Sequence, residues 1–125
     1  MALRLPGPAC RLRRTGDGAE LSRAVHRADG TWDQTRGLLG FDSLPPGAGL
    51  WFAGVRMIHT FFMRFPLDVA FVGPDGTVLD LRTRLAPWRI AFCRVPGRAD
   101  TLETAAGTFE DWNLKTGDRL ELTSP

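Results

Sequence analysis

LDVAFVGPDGTVLDL, residues 67–81, decides how this chain folds. Two runs of aliphatic, aromatic and β-branched residues flank Gly73-Pro74-Asp75-Gly76. Pro74 suits the second position of a type I turn, and Gly76 can take the left-handed conformation that follows. The segment is predicted to be a β-hairpin. Period-two alternation sets Leu67, Val69 and Phe71 on one face and Asp68, Ala70 and Val72 on the other. Asp68 therefore points away from the main apolar row. Its own face still carries Ala70 and Val72, so both faces are expected to be at least partly covered, as in a small barrel or a sheet under loops.

The neighbouring segments extend this β reading. CRLRR, a turn at TGDG and AELSRAVHR form an N-terminal hairpin, and the backbone re-enters the core at LWF, residues 50–52. Between them lies TWDQTRGLLG, residues 31–40, where Thr31 and Gln34 have capping-box spacing and Gly40 can close the last turn; a short helix is expected there. DTLETAAG and the final DRLELT read as strands, with FEDWN as a short helix or turn between them and a tight turn at Lys115-Thr116-Gly117-Asp118. The expected fold is mostly β: residues 1–125 as one domain, a small barrel-like sheet with one or two short helices.

Size and composition agree. A chain of 125 residues supports one core, and 43% apolar with 24% charged residues is the ordinary globular balance. Fourteen glycines and nine prolines mark a chain that turns often, which favours short strands. The N-terminus has no apolar run of the length a secretory signal needs, and no segment is long and apolar enough to span a membrane, so a soluble, cytoplasmic protein is expected. Cys10 and Cys93 stand apart from each other and from any histidine cluster; buried small side chains are expected rather than a disulfide or a metal site.

Net charge is only +2, too little for a protein devoted to duplex DNA. The charge is uneven, however. Arg82 to Arg98 holds five arginines and no acid, with Trp88 and Phe92 interleaved, so weak anion or nucleic-acid binding there is one alternative.

MIHTFFMRFPLDVAFV, residues 57–72, poses the functional question, because His59, Arg64 and Asp68 sit in the most apolar stretch of the chain. Ionised groups seldom enter a core without partners, so these three are mutual anchors or parts of a site. His59 alternates with Phe61 and Met63, as a satisfied core histidine would. Asp68 can accept backbone N–H bonds at the start of its strand. Glu103 is a cross-strand partner for Arg64 or Arg89, and Asp118 is a turn residue. Trp51, Trp88 and Trp112 are expected in the core or at its rim.

RGLLGFDSLPPGAGLWF, IHTFFMRFPLDVAFVGPDGTVLDL, LAPWR, LETAAG and GDRLEL, in that order and spacing, resemble the family known as domain of unknown function 192. The resemblance covers about residues 31–122 and is closest to the branch with a compact HTFFMRFPLDV core, where many members have a longer FWMKNT-type stretch. It implies a small, mostly β, barrel-like domain with no firmly assigned activity. Many members carry a signal or lipid anchor, which is not seen here.

No catalytic motif is present: none of the three serines lies in GxSxG, and there is no HExxH and no P-loop. What remains for acid–base chemistry is His59 with Asp68 or Glu103. The favoured reading is a non-catalytic binding or assembly module with a groove near residues 47–64, using His59, Arg64, Trp51 and Arg89 to receive a peptide, glycan or small anion. No cofactor or metal is expected. A small enzyme using His59 with Asp68 or Glu103 as acid and base is an alternative.

Overall fold

The computed structural model describes Leu5, residues 8–28 and residues 41–124. The helix expected over residues 31–40 lies outside the described residues. The 67–81 segment forms the predicted hairpin. Strand β5 (Leu67–Val72) pairs antiparallel with β6 (Val78–Leu85), and Val72 lies opposite Val78. In the turn, the Gly76 N–H donates to the Gly73 carbonyl at 2.9 Å and the Gly73 N–H to the Thr77 carbonyl at 2.8 Å. Gly76 has φ 88°, a conformation that side chains resist.

The remaining strands of the main sheet are β1 (Ala9–Arg14), β2 (Glu20–Ala28), β3 (Gly49–Phe52), β8 (Asp100–Ala105) and β9 (Leu120–Thr123). Their order across the sheet is β6-β5-β8-β3-β2-β1-β9. All neighbours are antiparallel except β2 and β3. That parallel pair needs a crossover, which the long connection after Ala28 supplies. The sheet curls but does not close into a barrel. Its edges meet at one bridge, Thr77 opposite Arg119, beside which the Leu120 N–H donates to the Gly76 carbonyl at 2.7 Å.

Both faces of the sheet are covered, as the alternation in β5 requires, and all six residues of that strand are buried. Leu67, Val69 and Phe71 join Leu50, Phe52, Met63 and Phe65 in one core. Ala70 and Val72 join Trp51, Leu102, Phe109 and Trp112 in the other. A short helix, α1 (Thr108–Trp112), caps the second core with Phe109 and Trp112 stacked at 5.9 Å. The first core is covered partly by a separate two-stranded ribbon, β4 (Met57–His59) with β7 (Ile90–Phe92). Ile58 and Ala91, paired across the ribbon, are its buried inner face.

The apolar stretch 57–72 is thus not one strand. Strand β4 stops at His59 and the chain turns through residues 60–66 before β5 begins. Cys10 and Cys93 are buried and free. Among the described residues no helix is long and apolar enough to cross a membrane.

Candidate functional site

Three ionisable groups of the 57–72 stretch have three different environments. Asp68 is buried, and its carboxylate accepts three backbone donors: Arg84 N–H at 2.9 Å, Gly107 N–H at 3.0 Å and Phe109 N–H at 3.0 Å. It ties β6 and the start of α1 to the central strand and forms the floor of a cavity of about 300 Å³ whose rim includes Arg84, Glu110 and Lys115. Arg84 pairs across this rim with Glu110 at 3.2 Å. Arg64 is exposed and pairs with Asp42 at 2.7 Å. His59 is exposed as well, which corrects the core placement: it ends β4 on the outward side of the ribbon, stacks on Phe61 at 4.9 Å and accepts the Phe61 N–H at Nδ1.

The residue that organises this end of the molecule is Thr60, fully buried between the two turns that flank the ribbon. Its hydroxyl donates to the Ala86 carbonyl at 2.7 Å and accepts the Arg89 N–H at 2.9 Å. Its carbonyl accepts the amides of Met63 at 3.2 Å and Trp88 at 2.9 Å, and its own N–H donates to the Arg89 carbonyl. This clasp holds Phe62 and Trp88 in the left-handed region, each with φ 66°. Such a backbone is disfavoured for bulky side chains and persists only where the surroundings over-determine it. Both rings are held in solvent, 4.6 Å apart.

They are not alone there. Met57 lies opposite Phe92 and His59 opposite Ile90, so these four side chains share the outward face of the ribbon. Met57, Phe62, Trp88, Ile90 and Phe92 are each between 55% and 68% exposed, and with Val95 they are the exposed large apolar side chains among the described residues. Scattered single exposures are ordinary; a contiguous apolar set on one face is not.

Arginines border this face. Arg89 is exposed, and its guanidinium bonds the Trp88 carbonyl at 3.3 Å. Arg56 donates to the carbonyls of Cys93, Val95 and Gly97, which satisfies its hydrogens without cancelling its charge. Arg82 and Arg94 instead share the buried Asp80, at 2.9 Å and 2.7 Å. Arg94, ahead of Arg82, holds the Asp80 carboxyl far below the usual carboxylate range despite its burial. The arginine run of the sequence is therefore partly internal glue and partly free charge.

The other candidates do not gather here. Trp51 is buried in the second core, on the far side of the sheet from the ribbon, where its ring N–H donates to Asp100 at 3.0 Å. The expected groove joining residues 47–54 to 59–64 is not formed through it, because Trp51 alternates to the wrong face. Register pairs Asp68 with Thr104 and Val69 with Glu103, so Asp68 and Glu103 also project from opposite faces. Glu103 is not the partner of Arg64 or Arg89; it lies in the first core beside Leu50 and Val69, where burial pushes its carboxyl up to about 8. Asp118 is the turn residue expected, accepting the Lys115 N–H at 2.9 Å.

The outward face is hard to see in the sequence, because an apolar run such as Met57 to Phe62 reads as core. One signal was available: in Ile90-Ala91-Phe92-Cys93, large side chains alternate with small ones, and a strand whose small side packs inward leaves its large side outside.

The profile of DUF192, described as an uncharacterized ACR, matches residues 12–122, a span that takes in most of the N-terminal hairpin. A UPF0127 protein of Pyrococcus furiosus is 38% identical over 64 residues, which are 51% of this chain. That match spans 53%, about half, of the relative's own length. A crystal structure from Sinorhizobium meliloti, of a protein described as a candidate transcription regulator, superposes with a TM-score of 0.79 at 26% identity, over 98% of each chain. Another, of a protein of unknown function from Novosphingobium aromaticivorans, has a TM-score of 0.76 at 22% identity and covers 90% of this chain and 83% of that one; its likeness concerns the fold alone.

Proposed function

Because this chain belongs to the DUF192 family, which is described as uncharacterized, we propose its function from its own surface: it is a non-catalytic binding module whose contact face is the outward side of the β4–β7 ribbon. The observation that carries this reading is the coincidence of Met57, Phe62, Trp88, Ile90 and Phe92 on one face, two of them at a backbone conformation that costs stability. His59 shares the ribbon's outward side and Arg89 follows Trp88 at its border, which supports the reading. A glycan or a small anion would use the arginines and leave the apolar strip without a role, so an extended partner with apolar and anionic character fits better.

The acid–base alternative draws no support from the geometry, since His59 is outside, Glu103 inside and Asp68 on the opposite side of the sheet with three of its acceptor positions filled. The description of the Sinorhizobium protein would suggest DNA as partner. The arginine run lends that little weight, because Arg82 and Arg94 are held on Asp80 and Arg84 on Glu110.

The test is photo-crosslinking in cells producing the full chain, with a photoreactive residue replacing Phe62 or, as control, the exposed Glu121 on β9. Adducts to protein or lipid are expected from position 62 and not from position 121. Equal yields from both would remove the ribbon as a contact face.

A further inference from the structure

We infer that the partner of the ribbon face is an anionic lipid surface, on which the protein docks peripherally with Met57, Phe62, Trp88, Ile90 and Phe92 at the boundary of headgroups and acyl chains. This rests on the reading of that face as a contact surface and names what it contacts. Three observations point the same way.

The apolar side chains protrude. Each keeps more than half of its surface open, and none of them lines the cavities at Asp68, Pro46, Ala53 or Arg14. Side chains that stand out from two turns and a ribbon are suited to entering a soft phase. Tryptophan and phenylalanine flanked by arginine is also the composition that settles at a membrane interface, where apolar rings meet the acyl boundary and guanidinium groups meet phosphate.

Two arginines at the face have no carboxylate partner among the described residues. Arg56 donates to main-chain carbonyls and Arg89 to the Trp88 carbonyl, so neither charge is cancelled by these bonds. A two-fold contact between copies of this chain would set these arginines against one another, which disfavours self-association through the face. An anionic surface matches them.

The presentation is rigid. Thr60 fixes both turns from beneath, so Phe62 and Trp88 do not have to be ordered when they insert. Peripheral anchoring needs more than one weak contribution, and here five apolar side chains act together with the positive charges of Arg56 and Arg89.

Co-sedimentation of the full chain with phosphatidylcholine vesicles, with and without phosphatidylglycerol, tests the inference. Binding is expected to the anionic vesicles only, weakening as salt rises, with a blue shift of tryptophan emission that Trp88→Asn abolishes. Phe62→Asn combined with Trp88→Asn should weaken partitioning about tenfold or more, and Arg89→Gln about fivefold. Both asparagine changes fall on exposed, left-handed positions, so the variants are expected to fold. Absence of binding to anionic vesicles, or equal binding by the double variant, overturns the inference. If vesicles are ignored while crosslinks from position 62 fall on a protein, the lipid surface is wrong and the contact face stands; if neither occurs, both fall.

Discussion

The carbonyl of Thr60 accepts the amide of Trp88 at 2.9 Å, joining the turn after β4 to the turn before β7 beneath the exposed rings. Thr60→Val keeps the shape of the side chain but removes the hydroxyl that bonds Ala86 and Arg89. Losing those two part-buried hydrogen bonds should cost about 1–2 kcal/mol in denaturant unfolding. The near-UV circular dichroism of the aromatic groups should weaken as well, and an unaltered spectrum with full stability would show that the clasp is dispensable.

Phe62→Asn and Trp88→Asn should each leave stability within about 1 kcal/mol of the parent, because relief of a left-handed bulky residue offsets the lost contact between the rings. Phe71→Ala, in the buried first core, should by contrast cost about 3–5 kcal/mol. Thermal melts of the three variants decide the matter. A large loss on Phe62→Asn would mean that the ring supports the fold instead of being held out from it.

Asp68→Ala strips the amides of Arg84, Gly107 and Phe109 of their acceptor and should cost about 3 kcal/mol or more. Asp68→Asn keeps one carbonyl oxygen and should fall between this and the parent. Arg64→Met, at an exposed ion pair, should change stability by less than about 1 kcal/mol. The order Ala, Asn, then Arg64→Met in decreasing cost is the expectation for urea midpoints, and any inversion contradicts the anchoring role.

Gly76→Ala and Gly117→Ala both force a side chain onto a left-handed backbone, at φ 88° and 92°. Only at Gly76 would the new Cβ collide with another chain segment, the carbonyl of Leu120, while Gly117 has open space around it. Gly76→Ala should therefore be costlier by at least about 1 kcal/mol, and Gly76→Val costlier still. Equal melting temperatures for the two alanine variants would remove the edge contact between the hairpin turn and β9 from the account of stability.

Glu103 supplies a pH signature. Its folded value of about 8 lies above the ordinary 4.5, so the folded protein binds this proton more tightly than the unfolded chain. The associated stability is complete below about pH 4.5 and declines as pH rises from there through about 8. Glu103→Gln should flatten that decline and melt higher than the parent above about pH 8, as unfolding free energies measured across the range would reveal. A parent and variant with parallel pH profiles would place the carboxyl in contact with water or a cation.

Much of this protein was determined by its sequence alone. The hairpin of residues 67–81, the N-terminal hairpin, the strands at Asp100–Ala105 and Leu120–Thr123 and the short helix between them follow from local rules. A glycine either can or cannot adopt a positive φ, and alternation sorts side chains to two faces without knowledge of the rest of the fold. Tertiary structure decided what each face meets. The offset by which β5 pairs with β8 sends Asp68 and Glu103 to opposite sides, and no property of either residue encodes that register. The parallel pairing of β2 with β3 buries Trp51 away from His59 in the same way. Met57, Phe62 and Ile90 are as apolar as Phe71, yet they lie outside, because burial depends on whether another element covers a residue, and among the described residues none lies over the outward side of the β4–β7 ribbon.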